Sequence, residues 1–463
     1  MCQFHGGGTS VPSPDRLGRR ALLVGAGGSV AALALSAVAQ AAPRALGRTW
    51  ALVGATVIDS VRSSPLVDAT VLVHGNRLAR VGRRRDVVLP PGTTVIDGHG
   101  KYVIPGLVDM HHHLGGTSLE ERAANLRQLL AFGYTTIFDP AVSLPDLVAL
   151  KGFAESVDAP YPRYFGTGPM LGTPGGWGDF GTPETRVVPS SSAAASIVAE
   201  FAAHGADAIK VANDNVLWGG GSAAEMPEDV QVAIVAAARR HRLRVFFHAP
   251  SLRLATQALR AGARGLLHGI VDAPLDRSFL RLLRRSDASA LETFSLFETL
   301  GDVVSYVGRQ QAFDRLGLYP SSVYDALRSP EAIAAIEAFV DPSVVAKHLP
   351  MLRANSRRLF SSGANATFGS DGGTFSQALG VSSHLELAVH ESAGLRPHEI
   401  LRGATLGAAR MLGRGYERGS LAPGKLADLV VLNANPLQSI ANLHFVDQVA
   451  KDGRLFRARD LLA

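Results

Sequence analysis

Around residues 50–104 the chain runs in short stretches rich in Val, Ile and Thr: TWALVGATVID, ATVLVHGNRLARVG and TTVIDGHGKYVIPG, each broken by Gly, Asn or Pro. This pattern predicts β-strands, with a hairpin turn at His74-Gly75-Asn76. The same style returns at 419–456 in GSLAPGKLADLVVLN and FVDQVAKDGRLF. Between these ends, short apolar runs alternate with amphipathic stretches of helical period. YTTIFD, ADAIKVAN, LRVFFHA, RGLLHGI, SALETFS and ATFGSD are strand-like, and LRLATQALRAG is typical of the intervening helices. Strands regularly separated by helices argue for a parallel sheet. Eight such units over 105–411 predict an α/β fold, a (β/α)8 TIM barrel. A doubly wound sheet is the alternative, but no GxGxxG loop follows a first strand. The two β-rich ends, 50–104 plus 412–460, predict a small composite β-sandwich domain. The segment 301–352 is too long for an ordinary βα connection and predicts a helical insertion.

The amino-terminal end carries a different pattern. Arg19 and Arg20 precede the apolar run ALLVGAGGSVAALALSAVA, which leads to Ala37-Val38-Ala39 and Ala39-Gln40-Ala41 as cleavage candidates. The run is rich in Gly and Ala and only weakly hydrophobic, so residues 1–41 read as a twin-arginine (Tat) export signal in preference to a membrane anchor. The expected location is periplasmic or extracellular, with no stable membrane association after cleavage. Cys2, the only cysteine, lies ahead of the apolar run and leaves with the signal. The mature chain then has neither disulfide nor thiolate ligand, and any metal must be held by His, carboxylate or a modified Lys.

Composition excludes little else. With 46 Lys plus Arg against 40 Asp plus Glu, the chain is mildly basic. No basic stripe is interleaved with aromatics, which argues against a nucleic-acid partner.

Candidate chemistry begins in IPGLVDMHHHLGG. Alternation along a strand puts Asp109, His111 and His113 on one face and His112 on the other. Two imidazoles at the carboxy-terminal end of a barrel strand form a ready pair of metal ligands. Lys210, His248, His268 and Asp371 each end a further predicted strand. Taken singly, each histidine would be an ordinary core or loop residue. In a barrel, however, strand tips converge on one pocket, so together they predict a cluster of four His, one Lys and one Asp. The Gly-rich loop LGTPGGWGDFGTP, with Trp177 and Phe180, is either a substrate-covering loop or a solvent-exposed one. Asn213, Asp214 and Trp218 follow Lys210 and, with Trp177, are candidate pocket-lining residues. His384 and His390 lie six apart on a helix and so do not share a face, which makes them supporting or surface residues.

The stretches PGLVDMHHHL, GADAIKV, VFFHAP, GLLHG, FGSDGG, HLELAVHESAGLRPHEILRGATLGAARMLG and GSLAPGKLADLVVLNANP resemble the amidohydrolase superfamily, specifically its imidazolonepropionase-like and Xaa-Pro-dipeptidase-like branch. The resemblance covers about residues 50–456. It implies two divalent metal ions, one held by His111 and His113 and the other by His248 and His268. It further implies that Lys210 bridges them as N6-carboxylysine, and that Asp371 binds metal and shuttles protons. Imidazole and oxygen ligands suit Zn2+ first, with Mn2+, Co2+ and Fe2+ also compatible. A protonated ammonium between two such ions would be repelled, whereas the carbamate formed from neutral Lys and carbon dioxide is an anionic bridge. The implied reaction is attack by a metal-bridging hydroxide on an amide carbonyl, in a small-molecule substrate of the dipeptide or N-acyl amino acid type. Relatives commonly self-associate, so a homo-oligomer is compatible with the resemblance.

Two other readings stand beside this one. A mononuclear cyclic amidine or lactam hydrolase, or deaminase, of the same superfamily usually lacks the strand-four Lys and carries a Glu soon after the strand-five His. Here Lys210 is present and HAPSLR offers no Glu. A non-catalytic exported binding protein would be expected to have lost some ligand position, and none is lost. The strand-seven segment SALETFSLFETL departs from the more Pro-rich family pattern, so the resemblance assigns no role to Glu292 or Thr293.

Overall fold

The structure is a computed structural model that describes residues 49–62, 64–116, 118–155, 159–216 and 223–462. The twin-arginine segment and Trp218 lie outside the described residues.

Eight parallel strands form the central framework: β1 (Leu107–Asp109), β2 (Tyr134–Asp139), β3 (Arg163–Gly166), β4 (Ala208–Ala212), β5 (Arg244–His248), β6 (Gly265–Leu267), β7 (Ser289–Glu292) and β8 (Asn365–Phe368). β1 pairs with β2 and β2 with β3. β4 through β8 pair in chain order, with the short strand Met170–Gly172 bonded to β4. The Asp207 amide donates to Gly166 O at 2.8 Å, just past the end of β3. Beyond the ends of β1 and β8, Asp371 N donates to His111 O at 2.7 Å and His113 N to Gly372 O at 2.8 Å. The result is a TIM-barrel-like α/β fold.

Side chains of these strands are buried on both faces, which explains why the sequence shows continuous apolar runs where a half-buried sheet would alternate. Val108, Met110, Phe138, Phe165, Phe246, Leu267 and Leu291 make an inner core. The other face of each strand packs under helices. In Leu252–Ala261 the buried residues Leu254, Ala255, Ala258 and Leu259 form one stripe. Ser251 Oγ caps that helix by accepting the Leu254 amide, and Gly262 ends it at φ 105°. Between β7 and β8 the chain makes the helices Phe294–Gly301, Val303–Phe313, Ser321–Leu327, Pro330–Phe339 and Pro342–Ser361.

The two ends of the chain meet in one hydrogen-bonded sheet of eight strands. Leu429–Leu432 runs antiparallel to Tyr102–Pro105 and so joins the carboxy-terminal strands to the amino-terminal ones. The hairpin between Leu66–His74 and Arg77–Arg83 turns at Gly75 and Asn76, as its sequence predicts. Trp50 anchors this sheet, buried and donating its Nε1–H to Gly453 O at 2.7 Å.

The contact between the tips of β1 and β8 leaves no room for a side chain at Gly373. Its φ is +76°, and a Cβ there would stand 1.6 Å from His113 O. Gly363 has the same φ with nothing within 4 Å. Gly363→Ala should meet only the left-handed backbone penalty of about 1–2 kcal/mol. Gly373→Ala should lower the calorimetric midpoint considerably more, and equal shifts would contradict a close-packed junction.

Candidate metal centre

β1 ends at Asp109, and the chain then leaves strand geometry, so strict alternation stops there. Asp109 does not face the way of His111 and His113, contrary to the strand pattern. Its carboxylate accepts Ser370 Oγ–H at 2.6 Å, Ser370 N at 3.1 Å and His111 N at 3.2 Å, tying the β1 and β8 ends together. His112 points to that side, 3.3 Å from Ser370 Oγ and fully buried. His111 and His113 point into a cavity of about 190 Å3 that Lys210, His248, His268, Asp371 and Trp177 also line. The structure therefore brings together all six strand-end residues picked out by the sequence.

The four imidazoles are contiguous. Ring centroids are 5.2 Å apart for His111 and His113, 4.6 Å for His111 and His268, and 4.5 Å for His248 and His268. Asp371 reaches into this group, with Oδ1 3.2 Å from His113 Nε2 and 3.5 Å from His111 Nε2, and Oδ2 3.8 Å from His268 Nδ1. One donor atom each from His111, His113 and Asp371 falls within 4.8 Å of the others, a set able to hold a metal ion.

Outside this ring lies a second set of residues whose role as partners of the imidazoles the sequence does not announce. Asp139, at the end of β2, is 3.4 Å from His113 Nδ1. Asp214 is 3.0 Å from His248 Nε2, and Thr293 Oγ1 is 2.8 Å from His268 Nδ1. Such partners fix the tautomer and orientation of ligating imidazoles. Thr293 is itself held by a cap, because Glu386 accepts the amides of Phe294 and Ser295 at 2.9 and 2.6 Å. His390 secures Glu386 at 2.8 Å, and His384 Nε2 lies 2.8 Å from Phe132 O. Both histidines are fully buried, so neither is a surface residue; His390 supports the site through Glu386, whereas His384 is turned to the Phe132 carbonyl.

Two of the proposed pocket residues lie elsewhere. Asp214 is buried against His248 and accepts the Val216 amide, and Asn213 Oδ1 accepts the Met226 amide at 2.9 Å. Neither lines the cavity, because residues beyond the β4 end turn toward the neighbouring β5 and the following loop. Trp177 does line it, with its ring centroid 6.2 Å from His248.

Burial governs the ionisation of the group. It pushes His111 and His268 well below the ordinary imidazole range, with neighbouring cationic groups adding to the effect. His248 is lowered by burial against the opposing pull of Asp214. Burial also acts against charge on His113, but Asp139 and Asp371 outweigh it and raise that imidazole to about 9. Lys210, only 2% exposed, is lowered to about 7 by burial, with Asp371 opposing. Among the described residues Lys210 has no ion pair within 4.0 Å. An amine neutral in substantial part, beside three imidazoles whose burial disfavours charge, with His111 Nδ1 buried and without a hydrogen-bond partner among the described residues, fits a centre built to take a divalent ion.

The amidohydrolase family profile matches residues 102–456. A stretch of 103 residues is 30% identical to adenine deaminase of Rubrobacter xylanophilus, covering 22% of this chain and 17% of that protein. A stretch of 114 residues is 38% identical to imidazolonepropionase of Deinococcus deserti, covering 24% and 28%. These alignments span less than a third of the length of either relative. A solved Xaa-Pro dipeptidase with methionine bound in its active site superposes with a TM-score of 0.71 at 22% identity, over 88% of this chain and 100% of that one, a likeness of fold.

Glu292, next to Thr293, supplies a test independent of metal. It is buried with Oε2 unpartnered among the described residues, and burial followed by the nearby Glu386 pushes it up to about 8. Between the ordinary carboxyl value of 4.5 and about 8 the folded protein binds this proton and the unfolded chain does not. Stability should therefore fall as pH rises through that window. Glu292→Gln should flatten the fall, read as calorimetric midpoints from pH 5 to 8, and an unchanged slope would contradict a buried neutral carboxyl.

Proposed function

The chain belongs to the amidohydrolase family and is a hydrolase acting on carbon–nitrogen bonds; from that premise we propose that it is an exported, binuclear enzyme cleaving the amide of a dipeptide or an N-acyl amino acid. The observation that carries this reading is the convergence of four imidazoles, one aspartate and one buried lysine, without a close counter-ion among the described residues, on a single cavity. In the same reading the eight strands close into a barrel over 105–411, and the two chain ends form a small β-sandwich domain. The segment with Arg19 and Arg20 directs export.

His111 and His113 would hold one ion, zinc in this reading, and His248 and His268 the other, with Asp371 and the carbamate of Lys210 completing the set. When bound, such ions acidify water and polarise an amide carbonyl. The chain's own contribution starts at Lys210. Its amine nitrogen, neutral in substantial part at pH 7, bonds to the carbon of carbon dioxide and releases a proton, leaving an anionic carbamate. Burial keeps the amine neutral enough to react and shields the product from water. Asp371 stands between His111, His113 and His268, placed to take a proton from the nucleophile and return it to the leaving nitrogen. Asp139, Asp214 and Thr293 keep the imidazoles in register while that proton moves. A deaminase would call for a Glu soon after the β5 histidine, where this chain has Ala249-Pro250-Ser251.

Elemental analysis of protein produced with zinc should give about two ions per chain, and Lys210→Ala should lose metal and activity together. One ion or none in active protein would reject the binuclear reading. Asp371→Asn keeps the shape but removes the proton-accepting charge. Turnover should fall by about 10²–10⁴-fold, in kcat more than in KM, while the histidines still retain metal. Unchanged turnover would place the base elsewhere.

A further inference from the structure

We propose that the substrate carries an aromatic, or comparably broad and flat, apolar group next to the amide that is cut. The identity of the reaction rests on the hydrolase reading above; the identity of the flanking group rests on four rings. Trp177 and Phe180 come from the Gly-rich loop after Met170–Gly172, Phe339 from the end of the helix Pro330–Phe339, and Phe375 from the loop that follows Asp371. All four line the cavity that holds the metal-ligating set.

The rings form a continuous wall. Centroids are 4.8 Å apart for Trp177 and Phe180, 5.4 Å for Trp177 and Phe339, and 4.8 Å for Phe339 and Phe375. The wall starts beside His248, to which Trp177 is tilted by 30° at 6.2 Å, and ends four residues beyond Asp371. Three separate chain segments thus deliver rings to the cavity that the imidazoles, Lys210 and Asp371 also line.

The wall is also prebuilt. Gly176 bridges to Ala224, Ala224 N donates to Gly175 O at 3.2 Å, and Gly175 N donates to Asp179 Oδ2 at 3.0 Å. Gly178, at φ +97°, lets the loop lie against Ala212 and Gly172, where a Cβ would come within 3.1 Å of Ala212 Cβ. Trp177, Phe180 and Phe339 nevertheless remain only partly buried. Rings held rigidly but left open toward a polar centre gain most when a partner covers them. Tilted and edge-on neighbours at these separations offer both ring faces and ring edges, the geometry that aromatic partners prefer. A polar group placed against Phe180, Phe339 and Phe375 would lose water without finding a hydrogen-bond partner on those rings.

The test uses metal-loaded protein and two substrate series, in which Ala, Leu, Phe and Trp vary first on the acyl side and then on the amine side of the amide. On one of the two sides, kcat/KM for Phe or Trp should exceed that for Ala by about tenfold or more. Phe339→Leu, which keeps much of the volume, and Trp177→Ala should each reduce that ratio, with the fold of each checked by circular dichroism. Binding of 3-phenylpropionate and propionate, measured by titration calorimetry, gives a readout that needs no turnover, and 3-phenylpropionate should bind more tightly by a similar factor. Amide hydrolysis with no ring preference on either side, or equal binding of the two acids, overturns the proposal and leaves the hydrolase reading intact. Ring-selective binding without cleavage of any amide supports the proposal and counts against the hydrolase reading.

Discussion

Lys210 lies almost wholly out of water beside a group of imidazoles, with no anion in contact among the described residues, and the chemistry of the site follows from that placement. An ordinary lysine would need about 5 kcal/mol to give up its proton at pH 7, whereas a lysine with a pKa of about 7 needs almost none. The contrary state is expensive. Two like unit charges 4 Å apart repel by about 4 kcal/mol even at an effective dielectric constant of 20, and a divalent ion doubles that. Burial therefore raises the share of neutral amine, which is the form able to become an anionic ligand. The same burial keeps His111, His248 and His268 in the neutral state that metal ligation requires.

Holding several basic groups together in one buried pocket requires a rigid frame, and the β1–β8 junction supplies part of it. Asp109 and Ser370 lock the two strand ends, while the backbone bonds of Asp371 and His113 cross the junction. Farther out, Asp139, Asp214 and Thr293 orient individual rings, and Glu386 with His390 holds the turn that carries Thr293. The aromatic wall lines part of the same cavity. Its rings come from loops and a helix end, where specificity can vary without disturbing the His, Lys and Asp side chains at the strand ends.

The parts of this arrangement legible in the sequence are those that periodicity reaches. Strand-length apolar runs ending in His, Lys or Asp mark His111, His113, Lys210, His248, His268 and Asp371, because every strand tip of such a fold points to one pocket. Alternation failed at Asp109, where the strand stops and the carboxylate turns to Ser370, a residue 261 positions away. The orienting residues were hidden for a similar reason: Thr293 is 25 residues from His268 and Asp214 is 34 from His248, and nothing local marks either as a partner. Asn213 and Asp214 looked like pocket residues by proximity to Lys210, yet the chain turns after β4 and takes both side chains elsewhere. The placement of Trp177 over His248 depends on a glycine loop whose path only tertiary contacts define.

The state of Lys210 is the most direct measure of the account. Protein equilibrated with 13C-labelled bicarbonate and zinc should show a carbamate carbon resonance in 13C NMR that is absent from Lys210→Met. Metal-loaded, active protein without that resonance would show that Lys210 keeps its amine, and the account of the bridge would be wrong.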